Sequence, residues 1–235
     1  MLKVGLSTGC VHKAGLGVNE AIKLYRSLGA NAIEISFGHS PELSGFNLTQ
    51  ELIQEVRKYD FVSLHGPWDI RYGKNEKTQE IIDKLGYVFE NLKAHGIVVH
   101  PDTVDSFYIL QKSGLPFLIE NMDTRKEFGT SPGDFKRLKK GYGFGFVLDV
   151  KHAGDHDSSM KLGRELLDIM DSRLKYFHVS GSDHNGRHVP TYSVGEKEGI
   201  IKILESRDVP RISEGCIDDN VRQTVLEELA FLRSI

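Results

Sequence analysis

Histidine and carboxylate side chains close one short apolar run after another along this chain. The runs read Ser-Leu-His65, Val-Val-His100, Leu-Ile-Glu120-Asn121, Leu-Asp149-Val-Lys-His152, Phe-His178-Val-Ser and Ile-Ser-Glu214. Imidazole nitrogens and carboxylate oxygens are the donors that hold Zn²⁺, Mn²⁺ or Fe²⁺. A single His or Glu in such a place usually makes a structural hydrogen bond. Six runs delivering them to one rim would leave groups that repel or stay unsatisfied unless a cation joins them. The pattern therefore implies a bound divalent metal and Lewis-acid chemistry.

For these residues to meet, each run must be a strand and all the strands must point the same way. Strands are expected at Lys3–Ser7, Ala32–Ser36, Phe61–His65, Ile97–His100, Phe117–Glu120, Gly145–Asp149, Tyr176–Val179 and Arg211–Glu214. They are short and mostly rich in Val, Ile, Phe and Leu, as strands covered on both faces should be. Amphipathic helices are expected between them at Val18–Leu28, Thr49–Lys58, Glu80–His95, Met160–Met170, Lys197–Glu205 and Val221–Leu232. Asn19 is read as the cap of the first helix and Gly29 as its end. Ser113-Gly114 and Gly141-Tyr142-Gly143 interrupt the helical pattern after the fourth and fifth strands. Eight such units specify an α/β chain folded as a single (β/α)₈ TIM barrel, with the metal site at the C-terminal ends of the strands. A dinucleotide-binding sheet is disfavoured. Gly15-Leu16-Gly17 begins a Gly-x-Gly-x-x-Gly pattern, but Glu20 stands where the third glycine belongs.

Composition agrees with one domain over residues 1–235. Hydrophobic residues make up 39% and net charge is only −3, which excludes a disordered chain. Lys+Arg number 30 against Asp+Glu 33, so no strongly basic nucleic-acid-binding surface is indicated. No apolar run approaches the ~20 residues that span a bilayer. The N-terminus Met-Leu-Lys-Val-Gly-Leu-Ser lacks the basic and apolar segments of a signal peptide, and a cytoplasmic enzyme is expected. Cys10 and Cys216, after the neighbouring first and eighth strands, are read as free thiols.

The ligand order resembles that of the xylose-isomerase-like TIM barrels, which include apurinic endonuclease family 2 (endonuclease IV) and many sugar isomerases and epimerases. The resemblance covers most of the chain. It is most specific from the third strand on, in Ile119-Glu120-Asn121 and in Leu148-Asp149-Val-Lys-His152. Likeness to endonuclease IV implies two or three metal ions, Zn²⁺ or else Mn²⁺ or Fe²⁺. His65, His100 and Glu120 would hold the first. Glu120 would bridge to a second, completed by Asp149, His178 and Glu214. His152 and His188 would hold the third, where that family supplies an Asp-x-His pair. Here the stretch reads Gly186-Arg187-His188-Val189-Pro190, with Gly186 in place of the Asp and Thr191-Tyr192-Ser193 inserted before Gly195-Glu196. Asp183 or a water is left to supply the missing ligand.

Around the ligands, Trp68 is the only tryptophan. It is either a packed hydrophobe or a platform for a sugar or base. Arg187 and Lys151 are candidates to bind an anionic substrate. Asn121 is read as orienting the ligands beside it. Glu34 faces the barrel interior as a hydrogen-bonding group. His12, His39, His156 and His184 are loop histidines, and His95 interacts with a helix end.

Two activities fit this set. The favoured one is hydrolysis of a phosphate ester at a multinuclear centre, as in endonuclease IV, on a small molecule or on abasic-site DNA. Clustered divalent ions activate water and stabilise both attacking and leaving oxygens. The alternative is a single-metal sugar or sugar-phosphate isomerase or epimerase, because Glu120, Asp149, His178 and Glu214 resemble the ligands of the family's epimerases. Glu120 and Glu214 would then be the catalytic acid and base on carbon. His65, His100, His152 and His188 exceed what an isomerase needs, which favours the hydrolase. The loops after the strands carry more Asp and Glu than Lys and Arg, and none is long enough to enter a DNA groove. A smaller ester is therefore at least as good a substrate as duplex DNA. No membrane partner is expected.

Overall fold

Side chains on a strand alternate between its faces, so a strand that closes a barrel sends every second residue inward. The computed structural model describes residues 1–235, and in it eight parallel strands close into one ring. They are β1 (Val4–Ser7), β2 (Ala32–Ser36), β3 (Phe61–His65), β4 (Ile97–Val99), β5 (Phe117–Glu120), β6 (Gly145–Asp149), β7 (Leu174–Val179) and, last in the chain, β10 (Arg211–Ser213). Between the last two, β8 (Gly181–Ser182) and β9 (His188–Val189) form a separate antiparallel hairpin. Around the ring the order is β1-β10-β7-β6-β5-β4-β3-β2.

Ala32, Phe61, Val98, Leu118, Val147, Tyr176 and Ile212, one each from seven of the strands, form an apolar cluster of their own. Two residues further along each chain segment come Glu34, Ser63, His100, Glu120, Asp149, His178 and Glu214. The inward row thus changes from apolar to polar in a single step of the pleat. The outward rows, such as Ile33, Val62, Val99, Ile119, Leu148 and Phe177, join a cluster of 52 buried residues beneath the helices. Burial of that outer layer is the main source of stability. The inner layer supplies a dry floor to the polar rim.

The helices are α1 (Val18–Ser27), α2 (Ser40–Gly45), α3 (Gln50–Val56), α4 (Glu76–Leu92), α5 (Phe107–Lys112), α6 (Pro132–Gly141), α7 (Val150–His156), α8 (Lys161–Met170), α9 (Glu198–Glu205) and α10 (Val221–Ser234). α4 buries Ile81, Ile82, Leu85, Val88 and Leu92, the spacing of one helical face. It starts four residues before the expected Glu80, because the Asn75 side chain accepts the Thr78 N–H. Gly17, not Asn19, caps α1: the Glu20 carboxylate accepts the Gly17 N–H at 2.8 Å. Ser113-Gly114 and Gly141 mark the ends of α5 and α6 rather than breaks within them. Of the expected strands, β4 ends at Val99, with His100 leading into a tight turn at Pro101–Thr103, and β7 begins two residues earlier, at Leu174. No helix is long and apolar enough to cross a membrane.

Candidate metal centre

Glu120, at the end of β5, is the hub. One oxygen, Oε2, lies 3.3 Å from His65 Nε2 and 3.4 Å from His100 Nε2. The other, Oε1, lies 2.9 Å from His178 Nδ1, which is also 3.6 Å from Glu214 Oε1. His65 keeps its Nδ1 2.9 Å from the Gly66 carbonyl oxygen, so that Nε2 faces the centre. The His65 and His100 rings stand perpendicular, with centroids 4.9 Å apart.

His178 is held from below by Glu34, whose Oε2 is 2.9 Å from Nε2. The Tyr176 hydroxyl donates to the same Glu34 oxygen at 2.6 Å, and the Ser63 hydroxyl at 3.2 Å. This carboxylate fixes both the ring orientation and the tautomer of His178, leaving Nδ1 for the rim.

Asp149 does two things at once. Its Oδ1 accepts the His152 N–H at 2.7 Å, capping α7 and placing His152 in that helix's first turn. Its Oδ2 is buried without a hydrogen-bond partner, 3.5 Å from His152 Nδ1. Asn121 clamps the strand ends together: its amide donates to the Asp149 carbonyl at 2.9 Å and accepts the Asp149 N–H at 2.7 Å. The Asn121 carbonyl oxygen lies 2.9 Å from His152 Nδ1, which leaves Nε2 open. His188, on β9, has Nδ1 3.0 Å from the Ser180 hydroxyl, and its ring meets that of His152 edge-on at 5.2 Å.

Three groups result, each with ligand atoms within 4.8 Å of one another: His65, His100 and Glu120; Glu120, Asp149, His178 and Glu214; and Asp149, His152 and His188. Divalent cations fit these residues on two observations. The donor sets mix imidazole and carboxylate, which Zn²⁺, Mn²⁺ and Fe²⁺ accept. Asp149 Oδ2 is a buried carboxylate oxygen with no hydrogen-bond partner, and a cation would satisfy it.

Charge in the cluster is unevenly held. Burial would raise Glu120, but the His178 charge and hydrogen bonds from His100, His178 and His65 outweigh it and hold the carboxyl well below its usual range. Glu34 follows the same logic: burial opposes ionisation, yet His178 brings it down to about 2. Burial would lower His65, but Glu120 and Glu34 raise it to about 9. Glu214, 19% exposed at the rim, goes the other way. Burial, helped by the negative charges of Glu120, Glu34 and Asp149 against the pull of His178, lifts it to about 8. Burial lowers His188 to about 4.

A cavity of about 700 Å³ opens above these groups. Trp68 lines it, stacked on His100 with centroids 5.7 Å apart and planes 9° from parallel. Its indole lies where a Cβ on residue 38 would come within 2.8 Å, so Gly38 is what admits it. Arg187 also lines the cavity, paired with Asp218 at 2.7 Å and with Asp183 at 3.3 Å. Asp183 is thereby occupied by Arg187 and takes no part in the three groups. Lys151 is not brought to this cavity. Its ammonium is buried against Asp155 Oδ2, at 2.6 Å, and the Gly186 carbonyl, at 2.9 Å.

Sequence reading missed Asp123, Arg125 and Lys126, which line the same cavity just after β5. Asp123 Oδ2 lies 3.9 Å from His152 Nε2 and is ion-paired to Arg125. The signal was their place directly beyond Ile-Glu-Asn. Cys10 and Cys216 are unpaired; Cys10 is buried, with Sγ 3.1 Å from the Ser213 carbonyl oxygen.

No protein-family model matches the sequence, and no curated protein does. Solved structures match over the whole chain. A D-tagatose 3-epimerase-like protein superposes with TM-score 0.74 at 16% identity, covering 99% of this chain and 96% of that one. Endonuclease IV from Thermus thermophilus gives 0.73 at 16%, over 99% and 98%. A 3-keto-D-glucoside 4-epimerase from E. coli gives 0.70 at 15%, over 100% of both chains. The structural neighbours thus include an endonuclease IV and sugar epimerases of the xylose-isomerase-like barrel, and at these identities what is shared is the fold.

Proposed function

We propose that this chain is a divalent-metal-dependent phosphoesterase with a multinuclear centre. The observation that carries the reading is the sharing of ligands: Glu120 belongs to two of the three groups and Asp149 to two. Carboxylates shared in this way are what a centre of neighbouring ions needs. His65, His100 and Glu120 would hold the first ion. Glu120, Asp149, His178 and Glu214 would hold the second, and His152 and His188 with Asp149 a third. Zn²⁺ suits the donors best, with Mn²⁺ or Fe²⁺ as substitutes. When bound, such ions supply Lewis-acid stabilisation to the oxygens of the ester. The chain's own part is positioning. Arg187, Arg125 and Lys126 line the cavity where an anionic ester would lie. Glu34 and Asn121 fix the histidines, and Trp68 offers a flat apolar wall. A small phosphate ester fits this cavity better than duplex DNA, since Asp123 and Glu214 share its lining with the cations.

A second reading has an observation of its own. Glu120, Asp149, His178 and Glu214 form a complete four-ligand set by themselves, and four of the neighbours are named as epimerase or epimerase-like. There Glu120 and Glu214 would exchange a proton with a sugar carbon.

One experiment separates the two. The protein is offered ketoses, sugar phosphates, phosphodiesters and abasic-site oligonucleotides in deuterated water. Ester cleavage with no deuterium at carbon is expected. Deuterium entering a sugar carbon without cleavage overturns the phosphoesterase and establishes the isomerase. In that case Glu→Gln at position 120 or 214 abolishes the exchange.

A further inference from the structure

Trp68 lines two cavities, not one. Beside the metal-facing cavity lies a second, of about 430 Å³, between the loops after β1 and β2 and the first two helices. The two share Gly9, Ser36 and Trp68, so they are lobes of one depression divided by the indole. Their chemistry differs. The metal-facing lobe carries Arg125, Lys126 and Arg187. The second lobe has no Lys or Arg; its walls include Leu16, Val18, Phe37, Phe46 and Trp68. Its one carboxylate, Glu42, is turned to its own backbone, accepting the Gly38 N–H at 2.9 Å. Phe46 is braced edge-on against the buried Phe37, with centroids 5.1 Å apart. Two imidazoles, His12 and His39, are the lobe's only other ionisable groups, and His39 Nδ1 lies 4.0 Å from Asp69 Oδ2. An anionic group finds no Lys or Arg here, whereas an uncharged ring finds aromatic and aliphatic walls.

We infer that the substrate has two parts, an anionic ester end over the metal-ligand groups and an uncharged aromatic or apolar substituent that passes Trp68 into the lobe of Leu16, Val18 and Phe46. The anionic half of this statement rests on the phosphoesterase reading; the apolar half rests on the second lobe alone.

Because Trp68 is the only tryptophan and stands between the lobes, its fluorescence reports binding on either side without turnover, and the phenyl-to-methyl ratio singles out the second lobe. The test titrates the protein as purified with two pairs of probes, methyl against phenyl phosphate and methyl against phenyl β-D-glucoside. Phenyl phosphate should shift Trp68 emission and bind at least about tenfold more tightly than methyl phosphate, the scale of burying one ring. In Phe46→Ala, with its circular dichroism unchanged, the phenyl-to-methyl ratio should fall toward one. Gly38→Ala, which pushes on the indole, should lower the same ratio without emptying the core. A phenyl preference among the glucosides but no binding of either phosphate would sink the phosphoesterase reading and keep the lobe. Equal binding of phenyl and methyl probes in both pairs overturns the inference.

Discussion

The Lys151 ammonium lies 2.9 Å from the carbonyl oxygen of Gly186. That bond ties α7, which carries His152, to the hairpin that carries His188. Gly186 adopts the left-handed conformation, with φ +73°, where a glycine is at ease. Lys151 is thus a positioning residue. Lys151→Met should keep the barrel but leave the Gly186 carbonyl unbonded and the Asp155 carboxylate unpaired. A loss of about 1–3 kcal/mol in stability is expected. Faster amide exchange should be confined to residues 181–189, and one fewer metal per chain should be retained. If exchange there is unchanged and metal content is full, the tie has no role.

Glu34 gives a second, deeper test. Glu34→Gln keeps the shape but removes the carboxylate charge that faces His178 Nε2, and metal affinity should fall about 10–100-fold. The acid limb of stability should change as well. Glu34 is depressed from 4.5 to about 2, so its contribution is complete above 4.5 and disappears as pH falls toward 2. In metal-stripped protein, the variant should therefore lose less stability than the wild type between those pH values. Parallel acid-unfolding curves would remove Glu34 from the account.

Metal affinity should climb with pH through neutrality. His65 is raised to about 9 and His178 well above its ordinary value, so both hold protons at pH 7 when no cation is present. A cation must displace those protons, and each one displaced changes the apparent affinity by about tenfold per pH unit. Chelator competition from pH 6 to 8 should show this slope, together with proton release in weak buffer. Metal retained undiminished at a pH of about 4.5 would rule out a histidine-rich centre.

Most of the rim was legible because the pleat has a period of two. Val98 to His100, Leu118 to Glu120 and Val147 to Asp149 are each one inward step, so an apolar floor in sequence forecasts a polar rim above it. Lys151 shows where that reasoning stops. It adjoins His152 in sequence, but on a helix consecutive residues diverge by about 100°, so the two side chains leave α7 on different faces. α2, α5 and α7 span only six or seven residues, too short for a clear hydrophobic period, and depend on local caps and packing. α6 went unread, although Ser131-Pro-Gly-Asp134 carries a signal for it: the Ser and Asp side chains cap each other's backbone. The second lobe had no signature, since it joins Leu16 to Phe46 across two separate loops.

His65 and His100 separate a multinuclear centre from a single-ion one. Both rings converge on one oxygen of Glu120, while the other oxygen faces His178. Replacing both with Ala should therefore empty one group and leave Glu120, Asp149, His178 and Glu214 able to hold an ion. Neither ring belongs to the apolar core clusters, so the fold should survive, although Trp68 loses the His100 face on which it stacks. The double variant should bind one metal fewer per chain, show a changed Trp68 emission, and lose at least about a hundredfold in phosphate-ester turnover, as expected when the electrostatic support of a reacting oxygen is removed. Metal analysis alongside the activity assay decides it. One metal fewer with sugar epimerisation intact would assign the chemistry to the ion at Glu120, Asp149, His178 and Glu214 alone and overturn the phosphoesterase. Full metal content with full turnover would make both histidines structural, with Glu120 serving one ion alone.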